Sequence, residues 1–357
     1  MGKELELIEY QLDKIDINYF LSELMEAIKY LAVYETKISD CRIEDGIFLP
    51  RLQQKEALSS LKIEGTQTTM NDIIADEIVP NEKNADLIEI KNHSTAIMKA
   101  SEAVKFSGFS NDLIKEIHKT LLTKVRKKNK GIILGEYKRK DNFIVNSVGT
   151  KIFTPPSYTE TNKYMDDLLK FMNDKTISLH PLIRSAIVHA QFESIHPFED
   201  GNGRVGRLLI TVFLYYHQVI NAPLFYISEA LQEDKISYYN YLTKSRDGHY
   251  NEWIKYFLSK CTVQAKKHIN YIDSINHLYS ETDKIVSKII KTNSKNVLKV
   301  LFDYPLLTAK VLSKEIDISM QQAKRYLKLL ENEKILIADD KQRNTTYYFI
   351  ELINLIL

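Results

Sequence analysis

A polar stretch of twelve residues between two strongly apolar segments constrains this chain more than any other feature. Residues 181–195 and 205–216 carry apolar side chains at helical spacing, and the second segment is so apolar that we predict a buried helix. The stretch that contains the polar connection, residues 196–207, reads HPFEDGNGRVGR. We therefore predict a polar loop that is held between two core helices.

The residues of this loop are typical of a phosphate-binding site. Gly201 and Gly203 let the backbone approach a ligand closely, and the first amide groups of the second helix point outward with the positive end of the helix dipole. Arg204 and Arg207 lie one turn apart on one helix face, where both can donate to phosphate oxygens. Asn202 can donate to the same oxygens.

Two further side chains of the stretch suit chemistry on a phosphate. His196 has an ordinary pKa of about 6.5, which suits proton transfer near neutral pH, so it is the candidate general base. Asp200 offers a hard oxygen ligand for a magnesium ion that also contacts phosphate oxygens and therefore keeps few protein ligands.

Residues 196–207 match every fixed position of the Fic family signature, H-P-F-x-D/E-G-N-G-R-x-x-R, so the chain resembles a Fic protein. The resemblance implies transfer of AMP from the cosubstrate ATP, with Mg²⁺, to a Ser, Thr or Tyr hydroxyl of a target protein. On this interpretation His196 deprotonates the hydroxyl, the oxygen attacks the α-phosphorus, and pyrophosphate departs on magnesium held by Asp200. The residues implied in catalysis are His196, Asp200, Asn202, Arg204 and Arg207, and those implied in nucleotide binding are Phe198, Gly201, Asn202, Gly203, Arg204, Arg207, Tyr238 and Tyr239.

The tyrosine pair Tyr238 and Tyr239 has two interpretations. The Fic resemblance implies that the helix carrying them lies near the adenine, where a ring can stack. Filling a gap between core helices is an equally good interpretation for each ring.

A second motif lies far upstream, at the end of a helix predicted over residues 51–64. Residues 60–65, from Ser60 through Glu64 to Gly65, resemble the inhibitory motif of Fic proteins, S/T-x-x-x-E-G/N. Ser60 and Glu64 share one helix face. The resemblance implies that Glu64 pairs with Arg207 in the same chain and keeps the γ-phosphate of ATP from binding productively. The alternative is a surface carboxylate with ordinary i,i+4 partners.

Two short β-like runs flank residues 146–150 and predict a hairpin. The hairpin resembles the family's flap, which implies that a target protein docks at residues 139–157 by strand-like main-chain pairing. Such pairing tolerates many side chains, so it does not reveal the target's sequence. Covering the edge of the core is the alternative.

The fold class expected from the whole chain is mainly α. Only 11 Gly and 8 Pro in 357 residues favour long helices. With the resemblance, we expect a Fic-fold helical bundle with a short β-hairpin flap, plus a C-terminal winged helix-turn-helix. The expected domains are an N-terminal helical region with the inhibitory motif (1–100), a Fic catalytic core (101–270), a helical connector (271–293) and the winged helix (294–357).

The C-terminal region carries the basic excess of the chain. From Lys284 onward there are 13 Lys and Arg against 8 Asp and Glu, a net charge of +5, whereas the rest carries −3. Such a charge permits DNA contact through residues 308–350 without requiring it. Docking of a protein partner or a second copy is an equal alternative.

Neither a signal peptide nor an apolar run of about 20 residues is present, and the two cysteines have no metal-binding spacing. We expect a cytoplasmic protein with no membrane partner. Apolar stripes on the N-terminal helices leave a homodimer open.

Two functions compete with AMP transfer. One is a DNA-binding regulator whose winged helix binds an operator while the Fic core senses a nucleotide. The other is an enzyme that removes AMP from a modified protein, because Glu64 beside a metal ion can position a water molecule.

Overall fold

The computed structural model describes residues 5–40, 49–78, 80, 81, 83–125, 132–145, 149–339, 341 and 344–357. Its secondary structure is mainly helical, which confirms the expected class. The elements in chain order are α1 (Ile8–Leu12), a 3₁₀ helix (Ile17–Phe20), α2 (Leu21–Ser39), α3 (Leu49–Glu64), α4 (Met70–Ile78), α5 (Ala85–Ser107), α6 (Asn111–Leu122), β1 (Ile144–Val145), β2 (Lys151–Phe153), α7 (Thr161–Asn173), α8 (Pro181–Ile195), α9 (Asn202–Tyr216), α10 (Ser228–Gln232), α11 (Lys235–Arg246), α12 (Tyr250–Ile289), α13 (Ser294–Asp303), β3 (Leu306–Thr308), α14 (Ala309–Glu315), α15 (Met320–Asn332), β4 (Ile337–Ala338), β5 (Thr346–Tyr348) and α16 (Ile350–Ile356).

The chain forms two compact units, and each is assembled from separate stretches. The first unit comprises Met1–Glu35, Gln53–Gln67 and Ile88–Lys266. The second comprises Thr36–Leu52, Thr68–Leu87 and Lys267–Leu357. The domain boundaries expected from the sequence stay a prediction.

Helices α8 and α9 form the centre of the first unit. Every residue of α8 after Pro181 is buried, as is nearly all of α9, so the sequence-based prediction of two core helices is confirmed. The helices approach closely at Gly206, where an added Cβ would lie 2.6 Å from Glu193 Oε1. A side chain at 206 would have to displace the Glu193 carboxylate and crowd the Phe192 ring, which lies 3.1 Å from the same position.

The start of α9 differs from the prediction. The apolar pattern placed it at Val205, whereas the helix begins at Asn202, directly after Gly201 in the left-handed conformation (φ +83°). The first turn is polar because it belongs to the motif loop, so apolar periodicity did not reveal it. Asn202, Gly203 and Arg204 are therefore helical residues.

The predicted hairpin is confirmed in its two strands. β1 and β2 pair antiparallel, with Ile144 opposite Phe153. Residues 146–148 of the predicted turn lie outside the described residues. Three large apolar side chains at the hairpin are exposed, Phe143, Val145 and Ile152.

The second unit contains α13, α14 and α15, together with an antiparallel sheet in the order β3-β5-β4. The sheet and helix α16 lie within residues 294–357, where a winged helix-turn-helix was expected. Arg343, which is within the residues 308–350 considered for DNA contact, lies outside the described residues. The winged helix-turn-helix stays a prediction. Across the described residues, none of the helices combines the length and the apolar content that a membrane crossing needs.

Candidate active site

The motif loop, residues 196–201, connects α8 to α9 and starts at a residue with an unusual backbone. His196 follows the last residue of α8 and has φ 49° and ψ 59°, the left-handed conformation that non-glycine residues rarely adopt. Its amide donates to Phe192 O at 3.0 Å, which completes the last turn of α8. The histidine therefore stands where the chain leaves the buried helix.

The imidazole of His196 is held in its neutral form. Its pKa is lowered to about 4, first by burial and then by the positive charges of Arg246 and Lys138. A neutral imidazole at pH 7 is the form that can accept a proton. The geometry therefore suits His196 for the predicted task of a general base.

Asn202 and Phe198, which were predicted to bind the nucleotide, contact other parts of the protein instead. Asn202 Oδ1 accepts from the amide of Phe198 at 2.8 Å, and Asn202 Nδ2 donates to Phe198 O at 2.8 Å. The ring of Phe198 is fully buried and stacks on His118, with ring centroids 3.9 Å apart. In this structure both side chains shape the loop rather than extend toward a ligand.

His118 is a loop-supporting residue that the sequence did not reveal. Its Nδ1 accepts from the amide of Gly135 at 3.0 Å, so its Nε2 carries the proton and donates to Asp200 O at 3.0 Å. Burial lowers the pKa of His118 to about 4, which keeps the ring neutral. No local motif marks this residue, because its partners lie 17 and 82 positions away.

Arg204 points into a buried cluster of carboxylates. Its Nη1 lies 2.6 Å from Glu89 Oε1, and its Nη2 lies 2.9 Å from Asp200 Oδ1. The side chains of Arg204 and Glu89 are 8% and 5% exposed. Glu89, on α5, is a second residue that sequence reasoning missed.

Arg207, one turn further along α9, contacts the predicted inhibitory motif. Its Nε donates to Ser60 Oγ at 2.9 Å, and its Nη2 donates to Ser60 O at 3.0 Å and to Glu64 Oε1 at 2.7 Å. Burial alone would lower the pKa of Arg207, but the Glu64 carboxylate raises it above its usual value. The structure thus brings Ser60, Glu64 and Arg207 together, as the resemblance implied.

Gly203 makes room for this contact, and Gly65 ends the helix that carries Glu64. A Cβ at residue 203 would lie 2.6 Å from Glu64 Oε1 and 2.9 Å from Arg207 Nη1. Gly65 has φ +98° and ends α3 immediately after Glu64, with its amide donating to Lys62 O. Glu64 therefore reaches Arg207 from the last position of its helix, over a residue without a side chain.

The two tyrosines of α11 have different environments. Tyr238 is 1% exposed and its hydroxyl lies 2.8 Å from Nε2 of the buried His189, so this ring fills the core and has no free face for a base. Tyr239 is 40% exposed. The carboxylate of Glu64 and the charge of Arg207 are close enough to affect its pKa, which burial raises to about 12. Of the predicted pair, Tyr239 is the ring that can stack.

Asp200 is the predicted magnesium ligand. Its Oδ1 accepts from the Gly201 amide at 2.7 Å as well as from Arg204, and its side chain is 25% exposed. Among the residues that the structure describes, no three His, Cys, Asp or Glu side chains are grouped to hold a metal ion. One carboxylate at the edge of a phosphate site fits Mg²⁺, since this ion takes most ligands from phosphate and water.

Comparison with known proteins places the chain in a family. Residues 108–214 match the Fic/DOC family, and residues 21–102 match the Fic/DOC family N-terminal region. The chain belongs to the Fic/DOC family. The two matches contain the motif loop and the Ser60–Gly65 motif respectively.

Two curated relatives and one solved structure extend this result. A protein of Aquifex aeolicus named "probable protein adenylyltransferase" is 29% identical over 176 residues, covering 49% of this chain and 51% of the relative. A "protein adenylyltransferase Fic" of Aedes aegypti is 29% identical over 156 residues, covering 43% of this chain and 27% of the relative. The chain therefore spans about half of the first relative and about a quarter of the second. A Fic family protein of Desulfovibrio desulfuricans has a TM-score of 0.61 at 18% identity, covering 93% of this chain and 95% of that structure, and so supports the Fic fold.

Proposed function

We propose that this Fic protein is a protein adenylyltransferase that moves AMP from ATP to a Ser, Thr or Tyr hydroxyl of a target protein. The observation that carries the proposal is the arrangement of the motif loop. It holds a neutral imidazole at one end and the first turn of α9, with its outward-pointing amides, at the other. Relatives named protein adenylyltransferases support it.

The proposed reaction needs one proton transfer and one displacement at phosphorus. His196 takes the proton of the target hydroxyl, and the oxygen forms a bond to the α-phosphorus of ATP. The bond from that phosphorus to the bridging oxygen breaks, and pyrophosphate leaves with its electron pair. The protein contributes mainly position and charge, because phosphoryl-type transfer requires little covalent chemistry from side chains.

Each remaining residue of the site has a task in this scheme. The amides of residues 202–204 and the guanidinium of Arg207 bind phosphate oxygens. Arg204 orients Asp200, the proposed ligand of Mg²⁺. When bound, this ion neutralises phosphate charge. The exposed ring of Tyr239 stacks on the adenine.

Glu64 restrains the reaction in this proposal. Its carboxylate occupies one donor of Arg207 at 2.7 Å, and that donor is then withheld from the γ-phosphate. ATP still binds, in a pose that does not transfer AMP. The exposed apolar side chains of the hairpin, with the strand edges beside them, dock an extended segment of the target.

Intact-protein mass spectrometry tests the proposal after incubation with ATP and Mg²⁺. The proteins are the wild type, Glu64→Gly and the double variant Glu64→Gly/His196→Ala. We expect the mass of one AMP to be added to Glu64→Gly, through self-modification or to an added target, and to neither of the other two at the same time point. Equal addition in the double variant would remove His196 as the base.

A second function rests on the outer face of α15. Lys324, Arg325 and Lys328 are exposed on this helix, while Ala323, Tyr326 and Leu327 are buried, so the cations share one surface. We propose that this face contacts nucleic-acid phosphates. Gel-shift titration of duplex DNA at two salt concentrations tests it, with Lys324→Glu/Arg325→Glu as the variant. Weak, salt-insensitive binding that the variant shares would refute it.

A further inference from the structure

The backbone of the motif loop is held by a segment that the proposed reaction does not use. Lys138 lies between α6 and β1 and is 3% exposed. Its ammonium group donates to the carbonyl of Ile195 at 3.2 Å and to Asn142 Oδ1 at 2.9 Å. Its amide donates to the carbonyl of Pro197 at 2.8 Å. One residue therefore holds the chain on both sides of His196.

Asn142 completes this set of contacts. Its Nδ2 donates to the carbonyls of His196 and Phe198, both at 3.1 Å. Four consecutive carbonyl groups, residues 195–198, thus accept hydrogen bonds from Lys138 and Asn142. The two side chains also hydrogen-bond to each other, and we call Lys138 and Asn142 together the bracket of the loop.

The bracket matters because of the backbone at His196. A non-glycine residue in the left-handed region keeps that conformation only where its surroundings impose it. A change of this backbone would move the imidazole away from the loop. A displacement of about 1 Å is enough to reduce a transfer rate about a hundredfold.

The charge of Lys138 acts on the same imidazole. Burial lowers the pKa of Lys138 to about 8, so the group is still mainly protonated at pH 7. Its charge lowers the pKa of His196, in the same direction as Arg246, while the negative charge of Glu64 opposes it. A hydrogen bond with the backbone of Glu193, on α8, also raises the pKa of His196, and the carboxylate of Asp141 raises the pKa of Lys138.

We propose that Lys138 and Asn142 are positioning residues for His196, which fix the left-handed backbone of the loop and join it to the strand segment that leads into β1. The inference rests on the proposed function, because it assigns a task to the neighbours of the proposed base. Since β1 belongs to the hairpin, the same bracket connects target docking to the base.

Transfer kinetics in the Glu64→Gly chain provide the first test. Lys138→Met and Asn142→Leu are expected to lower kcat about tenfold to a hundredfold while KM for ATP changes less than about threefold. Lys99→Met, an exposed lysine of α5, is the matched control and keeps the parent rate. A thermal melt establishes that each variant folds, and Lys138→Arg serves as a charge-retaining second variant.

Histidine NMR provides a readout that does not depend on transfer. The ring signals of His196 are assigned by their loss in His196→Gln. They are then followed as a function of pH in the parent, in Lys138→Met and in Lys138→Arg. Loss of the positive charge in Lys138→Met should raise the pKa of His196 by about one unit, whereas Lys138→Arg should keep it near the parent value. The acidic limb of kcat/KM against pH should move in the same direction.

The two tests separate the inference from the function on which it rests. If the parent transfers no AMP but the His196 titration moves as expected, the bracket stands and the proposed function fails. If folded Lys138→Met and Asn142→Leu keep both the parent kinetics and the parent titration of His196, the bracket is refuted.

Discussion

Two regions of the first unit each contribute one glutamate to an arginine of α9, and the two contacts differ in exposure. From α5, Glu89 reaches Arg204 at 2.6 Å, and both side chains are buried. From the last residue of α3, Glu64 reaches Arg207 at 2.7 Å, but the Glu64 side chain is 40% exposed. The distances are nearly equal, so distance does not separate the two pairs.

The two pairs differ in how deeply their glutamates are buried. Removing Glu89 leaves the buried guanidinium of Arg204 with Asp200 as its remaining ion-pair partner, and a buried charge that loses the closer of its two carboxylates is destabilised. Removing the carboxylate of Glu64 leaves Arg207 with two hydrogen bonds to Ser60. One pair therefore belongs to the scaffold, whereas the other can open without loss of the fold. This difference is what a releasable restraint requires.

The largest expected effect is on stability at the buried pair. Glu89→Ala should lower the free energy of unfolding by about 1.5–3 kcal/mol, because it removes the closer of the two carboxylates that pair with the buried Arg204. Urea denaturation of the variant and the wild type measures the difference. A loss below about 1 kcal/mol would mean that the two pairs are equivalent in stability.

At the Glu64–Arg207 pair, whose glutamate is exposed, we expect a small effect on stability and a large effect on activity. Glu64→Gly should cost less stability than Glu89→Ala beyond the helix-end effect, since solvent reaches the Glu64 side of the pair and screens it, although Arg207 itself is 1% exposed. The rate of AMP transfer should rise about tenfold or more, which corresponds to about 1.4 kcal/mol of changed preference between ATP poses. Transfer of AMP measured by mass and unfolding by urea are the two readouts.

A smaller effect distinguishes the tyrosines beside the exposed pair. Tyr239→Ala should weaken ATP binding by about 1 kcal/mol, or about fivefold in Kd, through loss of the stacked ring. Tyr238→Phe should weaken ATP binding less than Tyr239→Ala and should lower stability, because it removes the buried bond to His189 and the contact with Arg207. Calorimetric titration with ATP checks both, and equal weakening by the two variants would contradict the assignment.

Acidification should leave the restraint by the Glu64–Arg207 pair unchanged. Burial raises the pKa of Glu64, but the charge and hydrogen bond of Arg207 outweigh it and hold the pKa below its ordinary value. A depressed carboxyl pKa means that the pair stays charged above the ordinary value and is lost only as pH falls through the lowered one. The ratio of the Glu64→Gly rate to the wild-type rate should therefore stay constant from pH 8 to about pH 5. A ratio that shrinks at pH 6 would contradict this assignment.

The local features of the site were readable from the sequence. Apolar periodicity predicted α8 at its observed bounds, and the resemblance carried by Ser60, Glu64 and Gly65 implied the contact between Glu64 and Arg207. Both predictions rest on patterns of neighbouring residues, which a sequence records.

The features that the sequence did not reveal depend on distant residues. Glu89 and Arg204 are 115 positions apart, and His118 and Asp200 are 82 positions apart. Nothing in a carboxylate or a histidine alone indicates which distant segment will pack beside it. The burial of Tyr238 and of Phe198 has the same origin, because the motif names the residue and tertiary packing decides whether its ring faces a ligand.

The most direct test of the central claim compares AMP transfer by Glu64→Gly, Glu89→Gln and the wild type at saturating ATP and equal folded fraction. We expect Glu64→Gly to be faster than the wild type by about tenfold or more, and Glu89→Gln to be no faster than the wild type. Equal rates for Glu64→Gly and the wild type, or a matching rise in Glu89→Gln, would contradict the claim.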